Sequence, residues 1–300
     1  MSFSERICPV VVFFQTMVLT QCTGVITKTA SGPLSELRVA AERGDAAAQF
    51  KLGSSYYNGV KVPQDYAEAE RWYRKSAKQG NAKAEYALGY LYANGQGVSQ
   101  DYAEAFRWFL RAADQGDVDA QNGLGVMYAK GEAVSQDYAE AVRWYRRAAE
   151  QGDAAAQNNL GDMYRDSQGV PRDYAEAVSW YRKAADQGDA DAQNNLGLMY
   201  DEGRGVPQDY VEAARWGRKA ADHGHAQAQC NLGRMYEQGR GVAQDFVESH
   251  MWYNLASSRG DIENQKTCAI ARDQVARKMT SEQIAEAQRR AREWGQSAAK

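Results

Sequence analysis

The sequence predicts an all-α protein, an alpha-alpha superhelix (solenoid) of stacked antiparallel helix pairs, and three observations carry that prediction. Ala, Gln, Glu, Lys and Arg dominate, with only 5 prolines in 300 residues, a composition that favours helix. Leu-Gly returns every 36 residues, at Leu52-Gly53, Leu88-Gly89, Leu124-Gly125, Leu160-Gly161, Leu196-Gly197 and Leu232-Gly233, and Trp keeps the same period from Trp72 to Trp252. A period held without one insertion means that each copy touches the next in fixed register, as in a solenoid. Finally, each copy divides into two amphipathic helices.

In the first helix of a copy, Ala46, Leu52, Gly53 and Tyr56 recur at helical spacing, and Asn58-Gly59 breaks the helix. The second opens with Asp65-Tyr66-Ala67-Glu68, an N-cap aspartate with an acidic residue at the third helical position, repeated at Asp101, Asp137, Asp173, Asp209 and Asp245. One such cap contributes about 1 kcal/mol. Ala69, Trp72, Tyr73, Ser76 and Ala77 then form one apolar stripe, and Gly80 ends the helix. Glu68 faces Arg71 at i+3, as Glu104 faces Arg107, Glu140 faces Arg143 and Glu212 faces Arg215, so the charges read as solvated faces. A mid-helix glycine costs about 1 kcal/mol. Its repetition therefore marks a close approach of the two helices of a copy, with Trp72 and Tyr56 expected to fill the space around it.

This periodicity divides the chain. Residues 1–30 read as a signal peptide or leader: Arg6 precedes an apolar run from Ile7 to Leu19, and small residues follow at Cys22 to Gly24. That run is too short to span a bilayer. Gln21 stands where a lipoprotein box wants a small residue, which argues against lipidation of Cys22. Residues 31–44 form an N-terminal half-unit or cap helix, 45–260 hold six repeats of 36 residues, and 261–300 form C-terminal capping helices. Thr280 and Gln283 make a capping box there, and Ile284, Ala287, Ala291 and Trp294 give the last helix one apolar side.

A net charge of −3 supplies no basic stripe for nucleic acid. His223, His225 and Cys230 lie close in sequence, but no second ligand pair follows, so no metal site and no cofactor are expected. Beyond the leader only Cys230 and Cys268 remain; a disulfide and a metal half-site are possible, and free, buried thiols are the favoured reading.

The unit AAQFKLGSSYYNGVKVPQDYAEAERWYRKSAKQGNA resembles the Sel-1-like repeat, a relative of the tetratricopeptide repeat, in its Ala-Gln-x-x-Leu-Gly-x-x-Tyr, Gly-Val-x-x-Asp and Ala-x-x-Trp-Tyr-x-x-Ala-Ala signatures. Departures are local. Lys61 and Ala133 replace the second loop glycine, Ser167 the first, Gly217 the aromatic after Trp216, and His225 the acidic or Asn start of a first helix. The resemblance implies a scaffold that holds a partner protein or extended peptide in a concave groove lined by first helices.

The groove-facing stripe of the first copy is Ala47, Phe50, Ser54, Tyr57 and Asn58. One column of equivalents reads Phe50, Tyr86, Asn122, Asn158, Asn194 and Cys230; the next reads Ser54, Tyr90, Val126, Asp162, Leu198 and Arg234. These columns vary between copies while the core positions do not. Phe50, Tyr86 and Tyr90 are expected to anchor an apolar side chain, and Asn122, Asn158 and Asn194 to clamp a peptide backbone, with Asp162 and Arg234 as charged lining. Alternatively the asparagines bond to neighbouring helices or face water.

The expected function is thus a non-enzymatic adaptor, monomeric with a dimer as the alternative, periplasmic or secreted, with a cytoplasmic location as the alternative. The competing classes are a β-lactam-binding or hydrolysing enzyme of the cysteine-rich repeat type, and a self-associating structural protein. Neither a Gly-x-Ser-x-Gly nor a Ser-x-x-Lys motif occurs in the array, and His250 has no evident nucleophile beside it.

Overall fold

Six helix pairs stack in chain order behind a single leading helix, as the period requires. In this computed structural model residues 33–298 are described, and they form fifteen α-helices without a strand. The expected leader, with Arg6 and Cys22, lies outside the described residues. Helix α1 (Pro33–Glu42) leads, followed by α2 (Ala46–Asn58) with α3 (Tyr66–Ala77), α4 (Ala82–Asn94) with α5 (Tyr102–Asp114), and α6 (Val118–Lys130) with α7 (Tyr138–Glu150). Next come α8 (Ala154–Asp166) with α9 (Tyr174–Asp186), α10 (Ala190–Glu202) with α11 (Tyr210–Asp222), and α12 (Ala226–Gln238) with α13 (Phe246–Ala256). Helices α14 (Ile262–Ala276) and α15 (Ser281–Ala298) close the stack.

The caps form where the sequence places them. Asp65 accepts from the Ala67 and Glu68 amides; its equivalents cap α5, α9, α11 and α13 in the same way, and Asp137 caps α7 through the Glu140 amide alone. His225 replaces an aspartate without losing the cap: its Nδ1 accepts from the Ala228 amide at 3.0 Å, and its Nε2 faces Asp191 at 3.0 Å. Both ring nitrogens are thus used. Among the described residues no cluster of His, Cys, Asp and Glu could hold a metal.

The stripe Ala69, Trp72, Tyr73, Ser76 and Ala77 is buried in full. Its division of labour differs from the expectation. The residue after the tryptophan, not the tryptophan, covers the first-helix glycine: a Cβ on Gly53 would lie 2.7 Å from the Tyr73 ring. Trp108 instead packs on Ala69, Tyr73 and Ala77 of the preceding pair together with Ala84 and Leu88 of its own. Successive helical residues point about 100° apart, so one aromatic fastens the pair and its neighbour fastens the stack.

The four expected Glu–Arg pairs are present. Where the partner position holds Ser179 or Met251, the glutamate turns instead to the tryptophan one residue further: Glu176 accepts from Trp180 Nε1 at 2.9 Å and Glu248 from Trp252 Nε1 at 3.2 Å.

Each second loop glycine is pressed against the preceding pair. Gly97 has φ +70°, and a side chain there would run into the Tyr66 carbonyl. The three replacements noted in the sequence are the three non-glycine residues with positive φ among those described: Lys61 (65°), Ala133 (65°) and Ser167 (60°). Holding an L-residue there costs about 1–2 kcal/mol. Lys61→Gly, Ala133→Gly and Ser167→Gly should therefore each raise stability by about 1 kcal/mol, seen as a melting point higher by about 2–4 °C; an unchanged or lower melting point for all three would contradict this.

One expectation is overturned. Cys230 and Cys268 are not free thiols but a disulfide, their Cα atoms 5.9 Å apart, joining α12 to α14. The reason lies in the register: Cys268 follows Leu232 by 36 residues, so α14 takes the place of a seventh first helix and sets its leucine position beside the Cys230 column. Closing a loop of 38 residues stabilises by about 4 kcal/mol through the unfolded chain. Reduction, or Cys230→Ser with Cys268→Ser, should strip hydrogen-exchange protection from α14 and α15 while α2 to α9 keep theirs; uniform loss along the chain would exclude a local staple.

Candidate functional site

The first helices present three columns on one wall, at i, i+4 and i+7 of each: the two beginning at Phe50 and Ser54, and a third of Tyr57, Ala93, Ala129, Arg165, Asp201 and Glu237. At the N-terminal end this wall is aromatic. Phe50 lies 5.7 Å from the Tyr73 ring and Tyr86 stacks on Phe109 at 5.6 Å, so each rests on a core ring and keeps part of its surface open. Tyr57 meets Tyr66 at 5.2 Å and Tyr90 at 6.3 Å, edge to face, and donates to Gln96 Oε1 at 3.2 Å. Burial pushes the Tyr86 phenol up, and the nearby Asp119 and Asp117 add to it, so Tyr86 stays a neutral donor.

The asparagines bond to neighbouring first helices, the alternative that the sequence left open. Asn159 Nδ2 donates to Asn122 Oδ1 at 3.1 Å, Asn195 to Asn158 at 3.0 Å and Asn231 to Asn194 at 3.3 Å. Asn158 and Asn194 are only 8% exposed. Each acceptor lies 37 residues before its donor, so the column beginning at Phe50 meets the adjacent position of the next first helix. Buried amides take partners where they find them, and these asparagines tie consecutive first helices together. The signal was present in the Asn158-Asn159 and Asn194-Asn195 doublets, whose second member the column reading passed over.

The middle of the wall is charged. Asp162 accepts from Tyr181 Oη at 2.7 Å and pairs with Arg165 at 2.8 Å, while Arg165 also grips Asp166 through two bonds of 2.9 and 2.8 Å. Further along, Asp201 pairs with Arg240 at 3.0 Å, and Arg234 is exposed. Arg165, Asp166 and Asp201 lie beyond the Ser54 position where the sequence columns end, and Arg240 lies in the loop after α12, outside any first-helix column. The Cys230 end of the ladder is occupied by the disulfide.

Burial pushes Asp162 up from 3.8 to about 6, outweighing the opposing pull of Arg165 and of the Tyr181 hydroxyl. The raised value fixes a sign: between those two pH values the folded state holds a proton that the unfolded chain releases. The stabilisation is complete below about pH 4 and is lost as pH rises through about 6. Asp162→Asn, which keeps an acceptor for Tyr181, should therefore match the wild type below pH 4 and exceed it by about 1–2 kcal/mol at pH 7. Denaturant melts at the two pH values check this, and a variant less stable at pH 7 would reverse the sign.

The Sel1 repeat model matches residues 46–81, 82–117, 118–153, 154–189, 190–225 and 226–261. Among solved structures, a protective antigen of uropathogenic Escherichia coli strains displaying an SLR fold is 39% identical with a TM-score of 0.73; the match covers 90% of this chain and 56% of that one. A Sel1 repeat protein from Oxalobacter formigenes is 32% identical with a TM-score of 0.68, over 77% of this chain and 89% of the other. This chain thus spans little more than half of the Escherichia coli structure. No curated protein matches it in sequence. No described helix is long and apolar enough to cross a membrane. With six consecutive matched units, the regular helix pairs and these two likenesses, the chain belongs to the Sel1 repeat family, whose repeats mediate protein interactions.

Proposed function

We propose that the protein is a non-enzymatic adaptor that holds an extended segment of a partner polypeptide along the first-helix wall. The observation that carries this is the contrast between the two sides of each first helix. The packed side of each first helix repeats Leu52, Gly53 and Tyr56 almost unchanged six times, whereas the wall changes from aromatic to amide to charged. A stack alone needs only the constant side. Phe50 and Tyr86, seated on core rings, and Tyr57 and Tyr90, held edge to face against each other, are half-exposed, preorganised anchors, and Asp162, Arg165, Asp201 and Arg234 supply charge for register. Asn122, Asn158 and Asn194 contribute by holding the wall rigid.

We infer an exported location as part of this reading. The leader has the build of a secretory signal, and the Cys230–Cys268 disulfide suits an oxidising compartment. Among the described residues the one disulfide joins the last repeat to the cap, unlike a cysteine pair in each repeat, and His250 and Ser249 are buried in the second helix α13, off the first-helix wall. Both features favour a scaffold over β-lactam chemistry.

A photoreactive phenylalanine placed at Tyr90 or Arg234 in the exported protein should capture a partner, while the same probe at the outward-facing Arg71 or Arg143 should not. Equal capture from both faces would remove the wall from the argument.

A further inference from the structure

In five of the six helix pairs a ring fills the space over the first-helix glycine: Tyr73 on Gly53, Phe109 on Gly89, Tyr145 on Gly125, Tyr181 on Gly161 and Tyr253 on Gly233. In α10 and α11 the ring position is Gly217, opposite Gly197. A Cβ on Gly217 would meet no atom within 4 Å. The helices have not closed over the missing ring. The Ala213 carbonyl oxygen stands 3.2 Å from the Cβ position of Gly197, the same distance as from Ala69 to that of Gly53, where Tyr73 is present. The Gly217 backbone nitrogen lies 3.3 Å from the same Gly197 position, so the unfilled volume is the one beside it, where a sister ring would start from a Gly217 Cβ.

The sister rings show which way that space points. Their hydroxyls end on wall residues: Tyr73 on Ser54 at 3.3 Å, Tyr181 on Asp162 at 2.7 Å and Tyr253 on Glu237 at 3.2 Å. In α10 the corresponding positions are Leu198 and Asp201, both half-exposed.

We propose that the space between Gly197 and Gly217 is a side-chain pocket that receives one aromatic residue, Phe or Tyr, of an extended partner segment, entering from the first-helix wall between Leu198 and Asp201. The occupant is specified by the molecule itself, since five equivalent places are filled by phenyl or phenol rings. Leu198 offers apolar contact at the mouth, and Asp201, held by Arg240 at 3.0 Å, is placed to accept a phenol hydroxyl as Glu237 does from Tyr253. An apolar cavity of about 150 Å³ binds benzene. A bound ring would regain the dispersion contacts that Gly217 forfeits. This pocket rests on the wall-binding reading for the source of its ring, but its existence does not.

The test separates the two. Free p-cresol, the tyrosine side chain without its backbone, is titrated into the full chain while the backbone amide signals of Gly197, Leu198 and Gly217 are followed. Saturable shifts confined to these residues, abolished in Gly217→Tyr, are expected. Gly217→Tyr itself should melt higher than the wild type, because it restores the contact made by its sister units. A lower melting point, or p-cresol shifts unchanged in the variant, would overturn the pocket. A displayed library of random peptides is then selected on the wild type. Peptides with an aromatic residue should be enriched and should bind Gly217→Tyr about tenfold more weakly or worse, the scale of burying one aromatic side chain. Enriched peptides that bind both proteins alike would overturn the partner side chain as the occupant while leaving p-cresol binding to stand.

Discussion

The separation of the two helices in each pair depends on a glycine backed by an aromatic ring, and the stack depends on that separation being the same six times. Gly53 admits Tyr73 to a place where any Cβ would collide with it, and Trp72, one residue earlier, is left to reach the leading helix α1. The fifth pair shows how strongly the spacing is imposed from outside. With its ring absent the two helices keep the same approach, because α11 also packs against α12, and α10 against α9. Closing one pair would shift every later one. A defect in a solenoid is therefore kept as a space rather than relaxed, in line with the stiffness of packed interiors.

Once the interior is fixed, the polar ties repeat at fixed sequence separations. Gln79 reaches Gln49, and Gln151 and Gln187 reach Gln121 and Gln157, always 30 residues back, which ties the end of a second helix to its own first helix. Arg38, Arg74 and Arg146 donate to the tyrosine 18 residues on, across the boundary between pairs. Where Glu85 replaces the glutamine it is buried, and it draws in both Gln115 and Arg111. A buried carboxylate demands that second partner. Each tie contributes about 1 kcal/mol at most. Their role is to fix register, which leaves the wall free to change residue by residue.

Periodicity made the fold legible. The caps, the Glu–Arg pairs and the three strained loop positions follow from local rules, and Lys61, Ala133 and Ser167 could be singled out because the same loop is written six times with glycine as its usual answer. What depended on rotation about a helix axis was harder. The choice between Trp72 and Tyr73 as the partner of Gly53 turns on a single 100° step, and the asparagine doublets needed the offset between successive first helices, which no single unit contains. The charged cluster of Asp162, Arg165 and Asp166 was half seen: the column gave Asp162, but its partners lie one turn further on. The disulfide was illegible for a related reason. Cys268 sits in a segment whose sequence no longer matches the unit, so its register with Cys230 appears only once α14 is placed as a seventh first helix.

That placement explains why a covalent bond is found at this end. The Asn–Asn ties run down the wall from Asn122 to Asn231, and at the next step Cys230 and Cys268 take over the link between one first-helix position and its successor. Helix α14 buries only Cys268 and Val275, too little apolar surface to hold it on the stack in the way that Leu232, Gly233 and Met235 hold α12. The rest of the closure comes from α15, whose Ala287, Ala291 and Trp294 cover Trp252 and the end of α11. A terminal unit has only one neighbour and gains roughly half the interface of an inner one. The disulfide offsets that deficit without enlarging the core, and it does so at the foot of the wall, where a loose first helix would let the surface beside Arg234 and Leu198 lose its shape.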